Sequence, residues 1–263
     1  MPFTRNTETI AGKGQGSTKK RLVGIVSVVF LVALWQIGAA VVGKEIILPS
    51  PARVLTEFIS LAPTGEFLTA VLSTFLRGLE AFAASCIVGA LAGFASGRSE
   101  TVRAALAPLL TTIRATPVLA LILLALFWFP SGFVPIFSAF LMAFPVMAAS
   151  AMQGARAAPP ELLEMARLFK VPRAKVFFEL RLPAASPYFA AGARASLGLS
   201  WKVVVAGEVL AQPRLAIGSG LQSSRVLLDT PRVFAWALAA ILLCGLTEWI
   251  FGRIVTRGAA DGI

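Results

Sequence analysis

Long apolar runs recur along the chain, each about twenty residues and each bounded by charge, glycine or proline. A helix of about 20 apolar residues crosses the roughly 30 Å hydrocarbon core of a bilayer. Lipid offers no hydrogen bonds to the backbone, so only helices or closed barrels span it. These runs are continuous rather than alternating, which excludes barrel strands. The pattern predicts an all-α integral membrane protein with about six transmembrane helices. The first is Leu22 to Gly43 and the second runs from near Phe67 to near Gly97. The third runs from about Leu106 to Phe129, broken by Pro108 and Pro117, and the fourth is Phe133 to Gly154. The fifth is about Ala184 to Leu210, and the sixth runs from Val233 to about Val255. Residues 1–20 are polar and rich in Gly, Thr and Lys, which predicts a disordered tail. The first apolar stretch exceeds the 7–15 residues of a signal peptide's apolar region, which favours a retained helix over residues 21–45.

Composition strengthens this picture. The chain is 57% apolar and 14% charged, with mean hydropathy +0.81. A soluble domain is nearer half apolar and a quarter charged. Placing both termini in the cytoplasm puts 15 of the 24 Lys and Arg residues on that side and 5 on the other, with four within or at the edge of spans. That bias follows the positive-inside rule. It also explains the net charge of +11 without nucleic acid. The two cysteines, Cys86 and Cys244, fall in predicted spans and imply no disulfide framework.

Enzyme chemistry is weakened by what the chain lacks. It has no histidine, so Ser–His catalysis and histidine metal sites are absent. Its only aspartates, Asp229 and Asp261, lie outside the spans. No Gly-rich loop followed by Lys-Ser/Thr appears, so the chain has no P-loop for ATP.

The loop between the fourth and fifth spans carries most of the information. It reads PPELLEMARLFKVPRAKVFFELRLPAASPYF from Pro159 to Phe189. Pro159 and Pro160 suit a first helical turn, and Glu161 and Glu164 favour its positive end. Leu162, Ala166 and Phe169 fall on one face. Val171-Pro172 ends this helix. A second short helix with Val176, Phe177 and Leu180 follows, and Leu182-Pro183 ends it. An amphipathic helix–turn–helix among basic residues has two readings: a loop lying on anionic lipid, or a docking element for a partner.

Two features lie within the spans. Small residues recur every four positions at Ala81, Ser85, Gly89, Gly93 and Gly97, and again at Gly192, Ser196 and Ser200. Such stripes let helices approach closely, read first as packing within the chain, with a dimer interface as the alternative. Charged residues in spans usually face protein or a cavity. Arg194, Trp201 and Glu208 are spaced by seven and share a face, with Lys202 about 100° away. That face either lines a pathway, or Arg194 and Glu208 snorkel to opposite surfaces while Trp201 packs. Arg77 and Glu80 read as a structural pair.

The loop resembles the EAA signature of binding-protein-dependent ABC permeases, a type I importer fold with a MetI-like transmembrane domain. Glu164, Ala166, Leu182 and Pro183 stand in the signature's positions, Met165 replaces its middle alanine, and Lys170 replaces its glycine. If that turn needs a left-handed residue, Lys costs about 1 kcal/mol more than Gly there. Leu48-Pro49-Ser50-Pro51, Thr74 to Arg77, Ile113 to Pro117, and Trp201 with Glu208 resemble segments of the branch that imports nitrate, sulfonates, taurine and bicarbonate. The resemblance covers residues 46–256, with the coupling loop at 155–183 and a short cytoplasmic tail at 257–263. It implies a permease in a bacterial inner membrane, a homodimer forming the pore, an external binding protein, and ABC ATPase subunits that hold ATP and Mg. Leu162, Glu164, Ala166, Phe169, Lys170, Leu182 and Pro183 are the implied ATPase-coupling residues. A secondary transporter or channel working without an ATPase is the alternative, and the internal repeat expected of many such transporters is not evident. Basic residues near the pathway allow a small anion as substrate, and the resemblance equally allows a thiamine precursor or other nutrient.

Overall fold

The apolar runs become helices, and capping residues and prolines set most of their ends. The computed structural model describes residues 15–260, with side chains from Leu22 to Val255, and contains no strand among them. Helix α1 spans Gln15–Val42 and therefore starts inside the stretch expected as a tail; residues 1–14 lie outside the described ones. Helix α2, Pro51–Leu61, was not foreseen as a helix. Its start is nevertheless written in the sequence. The Ser50 side chain accepts from the Arg53 N–H, and Pro51 occupies the first turn, where a missing N–H costs nothing.

Helix α3 spans Gly65–Arg98, α4 Glu100–Ala115, α5 Val118–Ala125 and α6 Val134–Ala155. Helices α7, Pro160–Leu168, and α8, Arg173–Val176, form the loop. A single π turn, Phe177–Arg181, leads into α9, Leu182–Ala211, followed by α10, Ile217–Val226, and α11, Thr230–Ala260.

The third span breaks at Pro117 as expected, with α4 and α5 meeting at 98°. Thr116, ahead of Pro117, is held extended at φ −75° and ψ 125°, as the proline ring requires. Pro108 breaks nothing and lies inside α4. Leu182-Pro183 does not end a helix either. The π turn before it widens the backbone, with the Leu182 N–H reaching the Phe177 carbonyl. Pro183 then sits in the first turn of α9, where it needs no donor. Against six spans expected, four single helices are long and apolar enough to cross a membrane, or five if α4–α5 counts as one. The remaining one, α9, is 30 residues long but carries Arg194, Lys202 and Glu208. Only Glu208 is buried at the centre of the bundle, whereas Arg194 and Lys202 lie on the exposed side of the helix, where charges at membrane depth need protein or water beside them.

Helices α3, α6 and α9 form that centre. Gly89 of α3 sits against Met147, where an added Cβ would lie 2.7 Å from the Met147 side chain, and Gly93 meets the Ala148 carbonyl of α6. Ser85 donates to the Phe140 carbonyl at 3.2 Å, and Ser196 donates to the Ala143 carbonyl at 3.3 Å. The small stripes thus pack inside the subunit. Lipid is as apolar as leucine, so close approach and buried hydrogen bonds drive this association rather than water exclusion. The opposite face of α3 presents Leu68, Leu72, Leu76 and Leu79 outward. A second cluster joins α2, α3, α10 and α11 through Leu61, Phe67, Ile217 and Trp236, with Phe67 and Trp236 ring centroids 5.0 Å apart.

Trp201 of α9 is 1% exposed and lies over Gly78 of α3, stacked on Phe75 at 5.9 Å. A Cβ on Gly78 would overlap the indole. Gly78→Val is expected to destabilise the subunit by about 3 kcal/mol through overpacking, and thermal unfolding followed by tryptophan fluorescence measures it.

Candidate functional site

Helix α7 stands off the bundle. None of its residues is buried. Leu162, Met165 and Phe169 are 40%, 50% and 77% exposed and form one apolar face, with Ala166 half-buried at its base. They border an open groove of about 330 Å³ closed on its far side by Val176, Glu179 and Leu180. Met165 joins the face predicted from Leu162, Ala166 and Phe169. Glu164 is exposed and forms no ion pair among the described residues. Leu182 and Pro183 lie exposed where α9 begins.

The helix ends before the Val171-Pro172 stop expected from sequence, at Leu168. Lys170 is left-handed at φ 50°, and the Val171 N–H reaches back to the Ala166 carbonyl at 2.9 Å. This six-to-one bond satisfies a carbonyl that the helix end leaves open, in the Schellman manner. The turn keeps the left-handed geometry that glycine favours while carrying lysine. Lys170→Gly is therefore expected to stabilise the subunit by about 1 kcal/mol, read as a raised unfolding midpoint in detergent.

At the opposite end of the bundle, Glu208 is fully buried. It accepts from Thr74 Oγ1 at 2.9 Å, Arg77 Nη1 at 2.9 Å and the Gly218 N–H at 3.1 Å. Thr74 Oγ1 accepts in turn from the Ile217 N–H at 3.0 Å. The two N–H groups open α10 and have no partner within that helix. One carboxylate and one hydroxyl thus cap α10 and tie it to α3 and α9. Arg77 pairs with Glu208, not with Glu80 as the sequence spacing suggested. Glu80 is exposed and forms no ion pair among the described residues. Burial makes the partner: a buried carboxylate holds a nearby cation far more strongly than an exposed one does. In the sequence Thr74 stands out only within the short Thr74 to Arg77 resemblance, and nothing local marks the α10 amides.

The four α9 residues considered for a pathway differ in exposure. Trp201 and Glu208 are enclosed within the subunit and face no open space, whereas Arg194 and Lys202 are exposed. The exposed side of α9 runs along α11. A Cβ on Gly252 would lie 2.8 Å from the Arg194 guanidinium, and a Cβ on Gly198 would lie 2.7 Å from Glu248 Oε1. That antiparallel register sets Glu248, which sequence reading passed over, along a seam with Arg194 and Lys202.

The described residues form a bundle of long apolar helices with one sharply bent pair, α4–α5, and an exposed amphipathic helix pair at one end. The inward-facing methionine ABC transporter MetNI has this fold, with TM-score 0.55 and 17% identity over 72% of this chain and 93% of that chain. Residues 85–258 match the family described as binding-protein-dependent transport system inner membrane component, and the chain belongs to it. The taurine transport system permease protein TauC of Escherichia coli is 30% identical over 84% of this chain and 82% of its own. The riboflavin transport system permease protein RibX of Chloroflexus aurantiacus is 30% identical over 88% of this chain and 87% of its own. The nitrate import permease protein NrtB of Synechocystis is 30% identical over 70% of each chain. The protein is thus a multi-pass permease component of an inner-membrane ABC importer.

Proposed function

We propose that the chain forms half of the translocation pathway of an ATP-driven importer, with α7 as the element that docks on an ATPase subunit. The observation that carries this is the unburied apolar face of α7, Leu162, Met165 and Phe169, held by a defined Schellman turn. An amphipathic helix that buries nothing within its own chain needs a partner surface. Glu164, Lys170, Leu182 and Pro183, at or in place of the signature's residues, complete the coupling element in this reading. The ATPase holds ATP and Mg, and the permease supplies no cofactor site of its own. The positive-inside bias places this loop in the cytoplasm with both termini.

A second copy of the chain completes the pathway. Arg194, Lys202 and Glu248 lie along an exposed seam, and charges at membrane depth need protein or water beside them. An external binding protein delivers the solute. The relatives named for taurine and nitrate, together with two cations on the seam, favour a small anionic or zwitterionic solute.

The test is reconstitution in vesicles with the genomically adjacent ATPase and binding protein. Labelled taurine, an alkanesulfonate, nitrate and riboflavin are offered in turn. Uptake of one of them that requires ATP and both partners is the expected result. Uptake driven by an ion gradient with no ATPase present would make the chain a secondary transporter and overturn the reading.

A further inference from the structure

Behind the apolar face of α7, on the side turned toward the bundle, lies a cavity of about 550 Å³. Five cations line it: Arg98 from the end of α3, Arg167 and Lys170 from the end of α7, Arg173 from α8, and Arg181 from the π turn. No carboxylate lines it. Of the acids nearby, Glu100 pairs with Arg103 and Arg156 and Glu179 with Lys175, while Glu161 and Glu164 of α7 are exposed and do not line the cavity. None of the five forms an ion pair within the described residues. Four separate segments therefore bring like charges to one concave surface with no internal anion to offset them.

The floor is apolar. Phe177 lines the cavity and meets Phe94 edge to face at 5.9 Å, and the Arg98 guanidinium lies 5.7 Å over the Phe94 ring. Cations above, apolar rings below and a position at the end of a spanning helix match a lipid phosphate at headgroup depth. The geometry points to this cavity as a binding site for a phosphate group, supplied by an anionic phospholipid headgroup of the leaflet that the loop faces. The cavity shares Ala166, Val171 and Val176 with the docking groove but turns Arg167, Arg173 and Arg181 to the other flank of α7, beside Arg98 at the end of α3, and that position favours a lipid over the ATPase as the source. Arg181 carries the imprint of the cluster: burial lowers its pKa first, and the Arg98 and Arg167 charges lower it further. A bound phosphate relieves that repulsion. Guanidinium forks suit such a ligand, since they meet phosphate oxygens in pairs.

The experiment uses the full chain in detergent, with phosphatidylglycerol, phosphatidylcholine and inorganic phosphate as probes. Native mass spectrometry counts bound lipid, and thermal unfolding reads the stabilisation each probe gives. Wild type is expected to retain phosphatidylglycerol roughly tenfold better than phosphatidylcholine. Arg167→Gln with Arg173→Gln should weaken that binding about thirty-fold, at about fivefold per cation removed. Both side chains are exposed and repel their neighbours, so the double variant is expected to fold as well as wild type when no lipid is added. Arg167→Lys with Arg173→Lys should keep most of the binding. Arg214→Gln, outside the cavity, should change nothing. If inorganic phosphate stabilises wild type but not the double variant, and displaces the lipid, phosphate recognition stands with a soluble source. If it does neither while phosphatidylglycerol binds, the lipid is the source. Equal retention of the two lipids with no response to phosphate overturns the proposal. So does lipid and phosphate binding unchanged in the double variant; if that variant also fails to capture the ATPase, the cations serve the ATPase instead.

Discussion

Glu208→Ala is expected to cost the subunit about 3–5 kcal/mol and most of its folded yield. The substitution leaves Arg77, whose side chain is 15% exposed, beside a buried void with no counter-charge. It also strips acceptors from Thr74 and from the Gly218 N–H. Each buried donor left unpaired costs about 1–3 kcal/mol. Three elements lose their common anchor, because α10 is tied to α3 and α9 through these atoms. Arg77→Ala alone should be less costly, since Thr74 and Gly218 still satisfy the carboxylate. The double change of Arg77 and Glu208 to Ala should be milder than the sum of the singles, the sign of one shared interaction. Thermal unfolding in detergent and the monodisperse fraction on size exclusion measure all three. A Glu208→Ala protein within about 1 kcal/mol of wild type would show that the network is not structural, and would return Glu208 to candidacy in the pathway.

Phe169→Asp has the second large expected effect, and it is the opposite kind. Phe169 is 77% exposed in the subunit, so the permease itself should unfold within about 0.5 kcal/mol of wild type. Association with the ATPase should fall about thirty- to a thousandfold, the range for losing an aromatic anchor of about 2–4 kcal/mol at an interface. ATP-driven uptake should fall with it. Glu164→Ala should weaken association less, because an exposed charge at an interface rim contributes about 1 kcal/mol or under. Co-purification of the co-expressed ATPase reads both. An ATPase that copurifies undiminished with Phe169→Asp sinks the docking role of α7.

These two residues also mark the limits of reading along the chain. Phe169 was legible because its role is local: its spacing from Leu162 and Ala166 puts it on one helix face whatever the rest of the protein does. The signature residues around it made the family legible too. Glu208 was legible as an unusual charge but not as the anchor of α10. Its place seven residues after Trp201 and fourteen after Arg194 suggested a shared face with a shared task. The structure encloses Trp201 and Glu208 and leaves Arg194 outside. Arg77 illustrates the same point, since its partner lies 131 residues away and not three.

The chain by itself determined that it lives in a membrane, roughly where its long helices run, which residues form the small stripes, and that residues 159–183 make an amphipathic pair. All of these rest on periodicity and on the cost of exposed backbone or charge in lipid, which act over a few turns of helix. Tertiary structure alone decided that α4 and α5 turn through 98°, that Glu208 caps α10, that Lys170 accepts a left-handed turn, and that five cations from four segments share one cavity. The expectation at Pro108 and the outcome at Pro117 show why. A proline states that one hydrogen bond is missing, but whether the helix continues depends on what packs against it. Likewise a buried charge states that a partner exists, and only the packing of distant helices chooses which one.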